Sequence, residues 1–110
     1  SRVQSYLTER PAARQATLRA IAAHTARHYE LAVADLRGPS RRQNIASARA
    51  VAMFLARRLT DKSLGAVGEY FGGRDHTTVL HGCRKTEALM ARDPDLRQSI
   101  QELQSSLDSV

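Results

Sequence analysis

Arg74, Asp75, His76, Thr77, Thr78, His81, Arg84 and Lys85 crowd one short stretch of the chain. Between them Val79, Cys83, Thr86 and Met90 recur at steps of four, three and four, the spacing of an inward helical stripe. Thr77, His81, Arg84 and Lys85 fall together on a different face of the same helix. Glu87 is the first acid after Asp75. Hydroxyls, an imidazole and two cations on one exposed face can donate to phosphates and reach base edges. The chemistry this implies is recognition of an anionic, patterned surface, foremost duplex DNA.

Other chemistries fit less well. Asp75, His76 and Thr77 supply an acid, a base and a hydroxyl, but neighbouring residues on a helix point apart and form no relay. No catalytic residue is expected. His24 and His28 share a helical spacing used by metal pairs, yet no third ligand lies near them, and Thr25 stands where a zincin carries Glu. No metal site is expected. There is no Gly-x-x-x-x-Gly-Lys-Ser/Thr, so neither a nucleotide cofactor nor ATP binding is expected of this chain.

The elements that must position these residues follow from breakers and periodicity. Ser63 can cap a helix over 64–71 with Leu64, Val67 and Phe71 inward, and Gly72-Gly73 ends it. Asp75 or its neighbour can cap the next helix. A helix, a glycine turn and a second helix with a polar first turn form a helix-turn-helix. Upstream, Leu18, Ile21, Ala22, Thr25 and Tyr29 predict a helix from about Pro11 to Tyr29. Leu31 to Leu36 is an apolar turn, and Arg37-Gly38-Pro39-Ser40 is a loop with Arg41 and Arg42 at its edge. Ile45, Ala48, Ala52, Leu55 and Leu59 predict a long helix closed by Thr60-Asp61-Lys62. Asp93-Pro94 opens a last helix with the stripe Leu96, Ile100, Leu103, Leu107 and Val110. Leu55 and Leu80 are expected in the core. The fold class is therefore all-α, a small helical bundle containing a helix-turn-helix, with residues 1–12 as a linker or lead-in and 13–110 as the domain.

Composition narrows the function further. At 110 residues the chain makes one small domain. Cys83 has no partner for an internal disulfide, which fits a reducing, cytoplasmic setting. No apolar run approaches a membrane span, no signal peptide is visible, and the opening Ser1 is what a piece of a longer protein would show. Net charge is +6 but uneven. Residues 37–85 carry ten cations against three acids, while residues 86–110 carry two against five. Fifteen of the seventeen cations are arginine, whose planar fork suits phosphate and guanine. An arginine-rich coding bias accounts for the residue type but not for its place in the middle of the chain.

The run Gly72-Gly73-Arg74-Asp75-His76-Thr77-Thr78-Val79-Leu80-His81 resembles the signature of the C-terminal DNA-binding domain of the bacterial replication initiator DnaA. The likeness continues through Tyr29 to Leu36, Arg49 to Leu55, Leu59-Thr60, Ser63-Leu64 and Cys83-Arg84-Lys85, covering roughly 18–90. It implies binding of double-stranded DNA at boxes of the TTATCCACA type at a replication origin. It also implies a longer protein whose ATPase domain oligomerises on DNA. By the resemblance, Asp75, His76 and Thr77 read bases in the major groove, and Arg41 enters the neighbouring minor groove. Arg42, Arg49, Lys62, Ser63, Leu64, Arg74, Thr78, His81 and Lys85 match positions around the DNA backbone. Gly82 departs from the family's usual alanine, and Gln43 and Ser47 stand where some members carry cations. The other reading of the composition is a basic interaction module. Such a module would belong to a transposase-like or regulatory DNA-associated protein, or would dock an acidic partner or a membrane surface.

Overall fold

The computed structural model describes residues 16–108, which fold into six helices with no strand among them. They are α1 (Leu18–His28), α2 (Val33–Arg37), α3 (Gln43–Leu59), α4 (Leu64–Tyr70), α5 (His76–Met90) and α6 (Pro94–Asp108). No helix among the described residues is long and apolar enough to cross a membrane. The lead-in 1–12 and Val110 lie outside the described residues.

α3 is the axis of the bundle and touches each of the other five helices. Its middle, Val51 to Ala56, is buried all round, as a helix with neighbours on every side must be. Ile21, Ala22 and Ala26 of α1 and Ile100, Leu103 and Leu107 of α6 join it in one core. Leu36, Val67, Phe71 and Val79 extend that core under α2, α4 and α5. The expected stripes of α1, α3 and α6 thus face inward, and Leu55 is fully buried.

Local signals set most helix ends. Thr17 Oγ1 accepts from the Ala20 amide at 3.0 Å, so α1 starts at Leu18 rather than near Pro11; residues 11–15 lie outside the described residues. α1 ends where Glu30 adopts a left-handed φ of 58° and the Leu31 amide turns back to the Ala26 carbonyl at 2.8 Å. At the other end of the chain, Asp93 Oδ1 accepts from the Asp95 and Leu96 amides at 3.1 and 3.2 Å, and Pro94 fills the first helical position.

Candidate nucleic-acid interface

α4 and α5 form the expected helix-turn-helix, and its geometry can be followed bond by bond. Ser63 Oγ accepts from the Ala66 amide at 3.1 Å, which starts α4. Asp75 Oδ1 accepts from the Thr78 amide at 2.9 Å, which starts α5 and holds the Asp75 carboxyl below the usual carboxylate range. Between them Gly72 and Gly73 take φ of 93° and 77°, a region that side chains disfavour. This reversal brings the turn back onto α4. A β-carbon at Gly68 would collide with the Arg74 carbonyl oxygen, so only glycine fits there.

Every carbonyl in the last turn of α4 has a donor. Val67 accepts from the Phe71 amide at 3.1 Å, Gly68 from the Arg74 amide at 2.9 Å and Glu69 from the Gly73 amide at 3.3 Å. The fourth, Tyr70, accepts from Arg37 Nε at 2.7 Å, and the Arg37 guanidinium lies 4.0 Å from the Tyr70 ring centroid. A helix this short leaves much of its backbone unpaired, and here an arginine from a distant element completes it. Arg37 is a residue that sequence reasoning missed; its place before a glycine marks a loop, not a partner 33 residues away.

Two more arginines act in the same way. Arg49 is 5% exposed and donates to the carbonyls of Leu36 at 2.8 Å, Asp35 at 3.1 Å and Gly38 at 3.2 Å. Burial, and next the neighbouring Arg74 cation, pull its guanidinium below the ordinary arginine value. Arg74 donates to the Phe71 carbonyl and to the Gly38 carbonyl, the latter at 2.9 Å. Arg49, expected around the DNA backbone, is buried within the protein, while Arg74, expected there too, is half-buried and lines the groove described below. Arg49 is turned inward, and both hydrogen bonds of Arg74 run to protein carbonyls. The physical reason is that carbonyls at and just past the ends of α2 and α4 have no partner within their own helices.

The remaining candidates lie outward. His76, Thr77, Thr78, His81, Arg84 and Lys85 are exposed along α5, and Asp75 is exposed at its cap. Arg41 and Arg42 are exposed in the loop before α3, and Lys62 and Ser63 in the link before α4. Leu64 is half-buried against the core. Leu80, expected in the core, is half-buried and stands outside it. One residue beyond Val79 the helix has turned by about 100°, from the inward stripe to its flank. A groove of about 580 Å³ separates the Arg41 loop from the start of α5, lined by Arg37, Ser40, Arg41, Gly72, Arg74 and Thr78. Cys83 is half-buried and burial raises its thiol pKa, so it is a packing residue. Among the described residues no group of three or more His, Cys, Asp or Glu side chains comes together.

Comparison with known proteins agrees with this layout. Residues 18–86 match the model of the bacterial dnaA protein helix-turn-helix family. The chain is 46% identical over 96 residues to the chromosomal replication initiator protein DnaA of Cereibacter sphaeroides, covering 87% of this chain and 21% of that protein. It is 46% identical over 83 residues to the protein of the same name from Crocosphaera subtropica, covering 76% of this chain and 18% of that one. The chain thus spans about a fifth of the length of these relatives. The matched stretch contains both halves of the helix-turn-helix and the arginines that brace it, and the chain belongs to the bacterial DnaA helix-turn-helix family.

Proposed function

We propose that this chain is a sequence-specific binding domain for double-stranded DNA that recognises DnaA-box-like sites and serves replication initiation. One observation carries the reading: Arg41 of the exposed loop and Thr78 in the first turn of α5 line a single groove, beside exposed His76 and Thr77. In this reading α5 enters the major groove with Asp75, His76 and Thr77 at the base edges. Asp75 can accept from a cytosine amine with oxygen lone pairs left over from its cap, and His76 can pack on a thymine methyl. Half-exposed Leu80, one turn after His76, adds a further apolar surface suited to a methyl group. Arg41 reaches the adjacent minor groove, where an A·T-rich sequence offers an enhanced negative potential. Arg42, Lys62, Ser63, the Leu64 amide, Thr78, His81 and Lys85 lie around the phosphates.

The reading also places the chain within a longer, cytoplasmic initiator, as its relatives' length supports. The ATPase and oligomerisation chemistry then belong to segments outside this chain, and ATP should leave its DNA affinity unchanged.

The test is competition between a TTATCCACA duplex and a scrambled duplex at one fixed salt concentration. Thr77→Ala should cost about 1–3 kcal/mol on the matched duplex and little on the scrambled one. Lys85→Ala should weaken both alike and flatten the salt slope by about one unit. Equal loss on both duplexes for Thr77→Ala would remove α5 as the reading helix.

A further inference from the structure

Resting on that reading, we propose that Arg74 is a positioning residue which couples the Arg41 loop to α5 through the Gly38 carbonyl, and so fixes the register between minor-groove and major-groove reading. Gly38 accepts two guanidinium donors, Arg74 Nη2 at 2.9 Å from the helix-turn-helix and Arg49 Nη2 at 3.2 Å from α3. Arg74 is the residue immediately before the cap of α5, so the same residue closes the turn and reaches the loop. Its second donor goes to the Phe71 carbonyl at the end of α4. The contact between loop and turn has a second, independent witness: a β-carbon at Gly72 would lie 2.6 Å from the Arg37 carbonyl. Arg37 adds a third link from the loop's start to Tyr70 at 2.7 Å.

The chemistry of the pin suits arginine alone. A planar fork reaches two carbonyls in fixed directions, whereas lysine places one ammonium on a flexible stem. Arg41 lies three residues beyond the pinned carbonyl; without the Arg74 fork Gly38 keeps only the longer Arg49 bond to α3, and Arg41 loses its set distance to the bases read by α5. A conformation that must be found on binding lowers apparent affinity by its population.

Arg74→Lys keeps the charge and removes the fork, which separates positioning from phosphate attraction. Binding is measured for the wild type, Arg41→Ala, Arg74→Lys and the double variant. Each is tested across a salt series on the matched duplex, on one with a base pair inserted between its A·T-rich end and the remainder, and on an unrelated duplex. In the wild-type background Arg41→Ala should cost about tenfold on the matched duplex, the size of one good groove contact. In the Arg74→Lys background that penalty should fall to about twofold or less, the inserted base pair should matter less, and the salt slope should stay unchanged. In the free protein, backbone order at residues 39–42 by nuclear spin relaxation should drop in Arg74→Lys while helices α1, α3 and α6 keep theirs. An Arg41→Ala penalty of the same size in both backgrounds overturns the proposal, as does unchanged loop order. A parallel loss on matched and unrelated DNA with a flatter salt slope also overturns it, because Arg74 is then a phosphate contact. Failure of the DNA-reading assignment shows separately, as a wild-type protein indifferent to duplex sequence.

Discussion

The two ends of this small domain are held by different forces. Around α1, α3 and α6, fully buried Ile21, Leu55 and Ile100 interdigitate with few polar atoms between them. Burial of apolar area drives that packing and has no preferred direction. Around α2, the Arg41 loop and the α4–α5 turn, three arginines donate to carbonyls of residues 35, 36, 38, 70 and 71. Those bonds are directional and charge-assisted. The difference teaches why the candidate site is placed where it is. A directional brace holds a loop at a set angle, which a recognition surface needs, while the apolar end supplies the stability that the short helices cannot.

The comparison predicts different responses to substitution. Leu55→Ala should have the largest effect, about 2–5 kcal/mol of stability, because α3 serves both ends. The measurement is a denaturant or thermal melt, and an unaltered midpoint would displace α3 from the centre of the fold. Gly68→Ala comes next and acts on the braced end. Its obstacle is the backbone carbonyl of Arg74, so the loss should reach or exceed the about 1–3 kcal/mol usual for an overpacked site. Gly73→Ala is the control. No atom lies within 4 Å of its added carbon, leaving only the left-handed backbone cost of about 1–2 kcal/mol. If the two alanines destabilise alike, close approach at Gly68 is not what shapes the turn.

The apolar end has one flaw that sharpens the contrast. Thr25 is fully buried, and its hydroxyl has no hydrogen-bond partner among the described residues. Thr25→Val keeps the shape and removes the unpaired group, so it should stabilise by about 1 kcal/mol. A lower melting temperature would mean that the hydroxyl has a partner after all. The smallest effect is expected at the crossing of α5 over α3. Gly82→Ala restores helix propensity worth up to about 1 kcal/mol. Its new methyl would lie 3.1 Å from the Met53 terminal carbon, the mobile end of an adaptable side chain. A net gain below about 1 kcal/mol is expected, with DNA affinity unchanged; destabilisation would show that Met53 cannot yield.

Much of the architecture was legible without coordinates because its signals are local. Ser63 and Asp75 cap their helices through amides three residues ahead, and Gly72-Gly73 marks the turn by what glycine alone tolerates. The stripes of α3 and α6 follow from helical periodicity, which any core-facing helix must show. The start of α1 is less legible, because Pro11 suits a first helical position as well as Thr17 suits a cap, and the described helix begins at the Thr17 cap. Leu80 lies outside the core although it is apolar, because hydrophobicity alone does not say on which side of a stripe a residue falls.

The sequence by itself determined the helix content, the helix-turn-helix, the basic middle of the chain and the exposed polar face of α5. The helices, the turn and the polar face depend on residues within one or two helical turns of each other, and the charge balance can be counted along the chain without a fold. Only the tertiary structure decided which arginines remain available to an anion. Arg41, Arg42, Arg84, Arg49 and Arg74 carry the same charge and look alike in a list of cations. Arg49 and Arg74 nevertheless turn to the Gly38 carbonyl, 11 and 36 residues away, while Arg41, Arg42 and Arg84 stay exposed. That choice depends on where short helices leave carbonyls unpaired, and such vacancies exist only once the chain has folded.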